Sequence, residues 1–336
     1  MGFFFLLIGC SRPTEYIHIN GSTMGTTYNI KMNSSNNNYD INQIKDGIDS
    51  ILIHLNSVLS TWDENSEISI FNKTIINKPF QISNTLNTVI EHSLNISDET
   101  DGYFDVTIHD LMSLWGFGPN PKIGIPNKKN IDSVLHFTGF EKLHLEDRAI
   151  TKNQPFLKLD LNAIAKGYGV DIVFEYLKTE KFENLFVEIG GEVRCKGKNS
   201  MGNIWSIGIE TPNSEKNNSP SFIGIVELED FSMATSGNYR NFIDYNGEIL
   251  GHTINPKTGF PTKSNLLSVT VFSTTCMIAD AWATALMVMD YDTGFKKIKD
   301  IEGVKVLWIL EEKDGSRVIR KYGDLKIINP IYKIIV

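Results

Sequence analysis

Between Asp160 and Gly169 the chain gathers a carboxylate, an amide, a lysine and two glycines: Asp160, Asn162, Lys166, Gly167 and Gly169. They sit in FLKLDLNAIAKGYGVDIVFEYL, residues 156–177. Phe156 to Leu161 alternates apolar and polar side chains, a pattern that predicts a strand. From about Ala163 the period changes: Ile164, Tyr168, Ile172 and Tyr176 recur every fourth residue, flanked by Ala165, Val173 and Leu177, which predicts an amphipathic helix. A helix start offers unpaired N–H groups and a partial positive charge, and glycines let a bulky anion approach the backbone. Lys166 adds a full charge and Asp160 an acceptor. The same residues also suit a plain capped helix whose glycines serve packing, and this stretch alone does not choose between the two. The spacing is that of neither a P-loop nor a GxGxxG fingerprint.

Two further patches carry chemistry. In GHTINPKTGFP, residues 251–261, Asn-Pro and Thr-Gly make tight turns that hold His252 beside a constrained loop. An isolated histidine is usually structural, whereas one held this way is a candidate general base, its pKa lying near neutral pH. In ADAWATALMV, Asp280 and Thr284 are four residues apart on a predicted helix opened by Thr274-Thr275 as N-cap. They share one face, about 6 Å apart along the axis. A carboxylate and a hydroxyl are hard oxygen donors suited to Mg²⁺ that keeps waters and phosphate oxygens in its other positions. An i,i+4 polar contact is the plainer account of the same pair. Trp62 lies in a polar turn, where it either stacks on a ring ligand or covers a core edge. Asp105, beside Tyr103 and Phe104, is a turn residue or a ligand contact. Thr235-Ser236-Gly237 is no G-x-S-x-G nucleophile elbow.

The elements that must position these groups follow from pattern. Strands are predicted over Tyr28–Met32, Trp205–Glu210, Val269–Phe272, Val304–Leu310 and Arg317–Tyr322, and helices over Ile41–Leu55 and Thr85–Thr100. Glu188 to Val193 reads as a strand interrupted by Gly190-Gly191, the mark of a bulge or a close backbone approach. Residues 119–130 and 213–220 read as surface loops, and a helix and hairpin are expected ahead of residue 156. The 336 residues, 41% hydrophobic and 21% charged, suffice for a full core in one large domain or two. A net charge of −8 and the absence of any basic run argue against nucleic acid as a partner. Cys10, Cys195 and Cys276 form no CxxC and no metal-ligand spacing, and nothing in the sequence supports a disulfide. The opening MGFFFLLIGC is too short to span a bilayer as a helix. Leu7-Ile8-Gly9-Cys10 matches the bacterial lipobox, in which the cysteine is lipidated after cleavage. No Lys or Arg precedes it and the apolar run is short; a start placed further upstream accounts for both.

Taken together, MGTTYNI, STWDENSEI, DGYFDVT with LWGFG, LDLNAIAKGYG, VEIGGEV, ATSGNYRNF, HTINPKTGFP and ADAWATALMV resemble the ApbE family, in that family's order, from about Gly21 to Met289. The resemblance implies an α+β fold with a T-fold-like core, mixed sheets with packed helices, and an FAD cleft between lobes. Residues 1–20 would be a lipoprotein signal and tether, and residues 21–336 the enzyme domain. It implies an FAD:protein FMN transferase, which attaches FMN through a phosphoester to a Thr or Ser of an acceptor protein and releases AMP. FAD pyrophosphatase and plain flavin-binding lipoprotein are the alternatives. Carried over by position, FAD contacts fall on Met24, Trp62, Tyr103, Phe104, Asp105, Asp160, Lys166 and Ile254. The Mg²⁺ ligands fall on Ala163 (through its backbone oxygen), Asp280 and Thr284, and His252 matches a histidine proposed to act in transfer. Some members carry Asp where this chain has Ala283, so one carboxylate fewer is available. The resemblance also implies a lipid anchor on Cys10 at the periplasmic face of the inner membrane. The acceptors it implies are flavoprotein subunits of membrane redox complexes, of the Na⁺-translocating NADH:quinone reductase or Rnf type.

Overall fold

The computed structural model describes residues 16–33, 39–74, 78–122, 124–211, 222–237, 242–245 and 248–335. The N-terminal part contains β1 (Ile17–Thr23), β2 (Thr26–Asn33), α1 (Ile41–Leu59), α2 (Glu67–Lys73), β3 (Phe80–Gln81), α3 (Asn84–Glu99), α4 (His109–Leu114), α5 (Lys128–Leu135), β4 (Leu143–Glu146) and β5 (Ala149–Lys152). The central part contains α6 (Ala165–Thr179), β6 (Asn184–Ile189), β7 (Glu192–Lys196), β8 (Trp205–Glu210), β9 (Phe222–Leu228), β10 (Ser232–Gly237), β11 (Phe242–Tyr245) and β12 (Glu248–Gly251). The chain closes with β13 (Leu266–Ser273), α7 (Cys276–Val288), α8 (Tyr291–Ile298), β14 (Lys305–Glu311), β15 (Arg317–Tyr322), β16 (Ile327–Ile328) and β17 (Lys333–Ile335).

Nine strands pair in the order β1-β2-β6-β7-β10-β13-β14-β15-β17, antiparallel except for the final pair. The order divides at β7/β10 into two halves of one plan, each with two antiparallel strands, a helix and two more strands. The first half is β1, β2, α6, β6 and β7; the second is β10, β13, α7, β14 and β15. One face of the second half packs on helices, since Val269, Val271, Val306 and Trp308 join the core with Ala281, Trp282 and Leu286 of α7. Phe272, Leu307 and Ile309 point the other way and pack on Trp205, Ile209, Ile223 and Val226 of the β8–β9 sheet. Burial on both faces explains why β13 and β14 read as near-continuous apolar runs. In the first half Tyr28, Ile30 and Met32 of β2 and Val187 of β6 pack on Ile48 and Leu52 of α1 and on Val170 and Val173 of α6.

The α+β fold expected from the family resemblance is the fold observed, with corrections in its local details. Residues 157–161 form no strand and belong to no sheet. Leu157, Leu159 and Leu161 are buried as the alternation requires, yet the backbone of Leu159 bonds to a side chain. Asn72 Nδ2 donates to its carbonyl at 2.8 Å and Asn72 Oδ1 accepts from its amide at 2.8 Å. The Asp160 amide donates to the Val106 carbonyl at 2.7 Å. Gly190-Gly191 is a two-residue hairpin turn rather than a bulge, with φ of 64° and 105°. Met24-Gly25 does the same between β1 and β2 with φ of 49° and 72°. Turns with both residues at positive φ match the right-handed twist of the strands they join. Cys195 and Cys276 are buried free thiols.

Helix starts separate into two kinds. Asp40, Ser66 and Ser83 cap α1, α2 and α3 with their own side chains. Thr275 occupies the N-cap position of α7 as predicted, but its hydroxyl makes no cap bond, and Ile164 of α6 has none to make. Each helix is capped by the other instead. Asp171 of α6 accepts from the amides of Cys276 and Met277 at 3.0 and 2.9 Å. Asp280 of α7 accepts from the Gly167 amide at 3.0 Å. Arg194 of β7 completes the first pair, 2.7 Å from Asp171 and 3.1 Å from Glu175.

Burial raises the pKa of Asp171, while Arg194 and the two amides oppose the rise. Asp171→Ala leaves two buried amides without an acceptor and removes a carboxylate from Arg194. It is expected to lower the unfolding free energy by about 3–5 kcal/mol, read as a shift of the urea midpoint. A shift below ~1 kcal/mol would show the cap to be unimportant.

Candidate active site

Where the two halves of the sheet meet, their pairing stops early. β10 pairs with β13 along all its length, but with β7 only through Ser232↔Arg194 and Met233↔Val193. Beyond Met233 the strands part, and a cavity of about 620 Å³ opens between them. That size lies within the ~300–1,000 Å³ usual for small-molecule sites. Its walls are the hairpin turn Gly190-Gly191, residues 235–237 of β10, the start of α6, the face of α7 that carries Asp280, Thr284 and Val288, the 103–106 loop and the loop after β12.

Most of the residues assigned through the family resemblance converge on this cavity. Met24, Tyr103, Phe104, Asp105, Asp160, Ala163, Lys166, His252, Ile254, Asp280 and Thr284 all line it. Trp62 does not. It stands 64% exposed in its turn and covers no core edge. Ala283 is fully buried and is absent from the lining, while Asp280 and Thr284, one turn apart on α7, both face the cavity. Cys10 lies outside the described residues.

Lys166 points into the cavity over the Gly190-Gly191 turn. A side chain added at Gly190 would come within 3.3 Å of its Cδ. Its ammonium pairs with the buried Glu192 carboxylate. Burial alone would lower the lysine pKa, but Glu192 and Asp280 more than offset this and hold the ammonium protonated. The converse holds for the acids. Burial raises the pKa of Glu192 and of Asp280, and Lys166 opposes both rises. Glu192 Oε2 is buried without a hydrogen-bond partner. Burial thus works against two ionised carboxylates beside one ammonium, and a cation bound next to Asp280 would favour the ionised form of both acids.

The anion-binding reading of the α6 start has to be divided. Gly167 and Gly169 serve packing. A Cβ at Gly167 would lie 2.4 Å from the Cys276 carbonyl oxygen and 2.8 Å from Asp280 Cβ, and one at Gly169 would lie 3.2 Å from Met24 Cε. The Gly167 amide is already taken by Asp280. The Lys166 ammonium is the full positive charge that this helix start offers an anion. Asp105 is likewise engaged, accepting from the Thr107 amide and hydroxyl at 2.7 and 2.6 Å and from the Phe140 amide at 2.9 Å. Burial pushes its pKa up to about 6, and these hydrogen bonds restrain the rise. Asp160 accepts from the Asn162 amide at 2.8 Å, and burial raises its pKa too.

The loop carrying His252 is tied to itself and to the core. Ile254 bridges Pro261, Asn255 exchanges backbone bonds with Phe260 and Gly259, and the Trp115 indole donates to the Gly259 carbonyl at 2.7 Å. Lys257 lies 4.0 Å from the centre of the Tyr103 ring, joining this loop to the 103–106 wall. The His252 ring stands edge-on to Phe117 at 6.1 Å.

Among the described residues, no group of three or more His, Cys, Asp or Glu is placed to hold a metal. The donors on offer are one carboxylate (Asp280), one hydroxyl (Thr284) and the Ala163 backbone. Such a set suits Mg²⁺, which takes one or two carboxylates and completes its octahedron with waters and substrate phosphates. Glu192 and Ser236 belong to the site and were missed in the sequence. The Ser236 hydroxyl lies 3.2 Å from that of Thr284. The double glycine beside Glu192 was the available signal.

Because Gly167 marks the closest approach of α6 to α7, Gly167→Ala is expected to cost at least ~1–3 kcal/mol in urea unfolding. Gly25→Ala, with open space around it but φ of 72°, should cost only about 1 kcal/mol. Equal costs would deny Gly167 its special place.

Residues 24–308 match the ApbE family. An FAD:protein FMN transferase of Vibrio cholerae serotype O1 is 39% identical over 313 residues, 93% of this chain and 92% of its own. One from Haemophilus influenzae is 34% identical over 319 residues, 92% of this chain and 90% of its own. The solved structure of the flavin transferase ApbE from Vibrio cholerae superposes with a TM-score of 0.83 at 38% identity, over 92% of this chain and 97% of that one. The apo crystal structure of the Pseudomonas stutzeri flavinyl transferase ApbE gives a TM-score of 0.81 at 29% identity, over 94% and 95%.

Proposed function

The chain belongs to the ApbE family, and on that footing we propose that it is an FAD:protein FMN transferase. It moves FMN from FAD to a hydroxyl of an acceptor protein. The observation that carries the reading is the convergence of Lys166, Asp280, Thr284, Ala163 and His252 on one cavity at the seam of the sheet. In the reaction the oxygen of an acceptor Thr or Ser attacks the phosphorus of the FMN half. The phosphoanhydride P–O bond breaks, and AMP leaves with its electron pair. Lys166, kept protonated by its carboxylate neighbours, is positioned to offset negative charge on the diphosphate. Ala163, Asp280 and Thr284 would hold Mg²⁺, which when bound neutralises charge on the phosphate oxygens. His252 takes the hydroxyl proton as the new phosphoester forms. The rigid 253–262 loop fixes where that imidazole stands, so that reaction is mainly a matter of placement.

The test uses the full chain, FAD, Mg²⁺ and a peptide bearing the Asp-x-x-Thr/Ser-Gly-Ala-Thr/Ser motif that the resemblance implies. The peptide should gain the mass of one FMN with AMP released in equal amount, and chelation of Mg²⁺ should stop both. His252→Ala should slow transfer by roughly 10²–10⁴-fold while FAD binding persists. FMN appearing only free in solution would make the protein a pyrophosphatase instead, and intact FAD would make it a flavin carrier.

The cellular setting is part of the same proposal. Leu7-Ile8-Gly9-Cys10 supports a lipid anchor on Cys10 at the periplasmic face of the inner membrane. There the acceptors would be flavoprotein subunits of membrane redox complexes, of the Na⁺-translocating NADH:quinone reductase or Rnf type. Among the described residues no helix is long and apolar enough to cross a membrane. If acyl chains hold the protein at the membrane, Cys10→Ser should release it from the membrane fraction and remove the acyl mass from its N-terminal peptide. Unchanged fractionation would refute the anchor.

A further inference from the structure

We propose that the free edge of β10 is where the acceptor polypeptide docks, as an added β-strand that carries its hydroxyl past Thr284 and Asp280. The inference rests on the transferase reading and names the enzyme surface which that reading leaves unassigned.

Three observations meet at this edge. First, β10 is paired along its full length with β13 on one side, from Ser232↔Ser273 to Gly237↔Ser268. On the other side, pairing with β7 ends at Met233↔Val193. Among the described residues, the backbone of Ala234 to Gly237 has no further partner on that side. Alternate N–H and C=O groups of a strand point to each edge, so this stretch offers a short ladder with one rail missing. Second, the missing rail would lie inside the catalytic cavity, since Thr235, Ser236 and Gly237 line it together with Lys166 and Asp280. The Ser236 hydroxyl lies 3.2 Å from the Thr284 hydroxyl, so a chain lying on this edge passes the place where the diphosphate would be held. Third, the surroundings are small. Opposite β10 stands the Gly190-Gly191 turn, and a Cβ at Gly191 would meet nothing within 4 Å.

The occupant follows from the chemistry of the edge. A flavin, a ribityl chain and a diphosphate carry no evenly spaced run of amide donors and carbonyl acceptors, whereas an extended peptide does. Strand addition gives affinity through the main chain and leaves specificity to alternate side chains. The edge thus accepts an extended segment whose residues next to the reacting Thr or Ser are small enough to enter between β10 and the glycine turn. It also orients the hydroxyl, because a strand fixes which side chains face α7 and which face away.

The experiment is an N-methyl scan of the acceptor peptide, using the full chain with FAD and Mg²⁺. Each backbone amide near the reacting residue is methylated in turn, and kcat/KM for FMN transfer is read by peptide mass. Methylation at alternate positions should lower kcat/KM by at least ~10-fold, while the intervening positions stay within ~3-fold of the parent peptide. FAD affinity, read from flavin fluorescence, should not change. In hydrogen exchange, the amides of Thr235 and Gly237, which alternate away from β13, should gain protection when peptide is added to the FAD-loaded enzyme, beyond that given by FAD alone. A flat methylation profile, a loss at every position alike, or protection complete with FAD alone would overturn the docking mode. Failure of the unmethylated peptide to take FMN would overturn the transferase reading, and this inference with it.

Discussion

Asp171 and Asp280 each reach away from their own helix to accept amide hydrogens at the start of the other, and neither helix start has a side-chain cap of its own. A buried carboxylate is tolerated only when hydrogen-bonded or paired. Each acid meets that condition through the other helix, so the two helices are satisfied together or not at all. The exchange demands close contact, which is why position 167 must be glycine. It also fixes Asp280 of the second half against Lys166 of the first, and through Lys166 the buried Glu192 that opens β7. The charges of the site are thus set by the same bonds that join the two halves of the sheet.

This coupling makes Asp280 serve two ends. One carboxylate oxygen caps α6, and the residue also lines the cavity as the only carboxylate among the assigned metal ligands. A group already fixed by a structural bond pays little entropy to be positioned again for a ligand, which is the benefit of placing functional atoms on rigid elements. The 253–262 loop follows the same logic by other means. It lacks regular structure, yet the Ile254–Pro261 bridge, the Asn255 bonds and the Trp115 contact make it as constrained as a hairpin.

Much of this was legible in the sequence where the signal was local. The Asp280–Thr284 spacing, the tight turns around His252, the alternation in β2 and the apolar run in β13 each depend on neighbours a few residues apart. What escaped depends on distant partners. Residues 157–161 alternate as a strand would, but Asn72, 87 residues away, supplies the bonds that a neighbouring strand should give. Glu192 looked like one more strand residue, because its burial arises from the seam between β7 and β10. Thr275 occupied the predicted cap position, yet Asp171, more than a hundred residues earlier, makes the bonds. Trp62 shows the opposite limit, for a family position carried over by motif lies outside the cavity that gathers the others.

The order of strands also governs how the chain can assemble. β2 pairs with β6 through contacts such as Asn29↔Glu188, so the first half of the sheet closes only after some 150 intervening residues have been made and folded. The second half draws all its strands from residues 232–322 and closes over far shorter loops. Loop-closure entropy grows with the intervening length, and non-local pairings are slow to form. During synthesis the β1–β2 hairpin emerges early and must keep Tyr28, Ile30 and Met32 from other partners until β6 and α6 arrive. A waiting edge of that kind is a site for mispairing, and it stays open until β6 covers it.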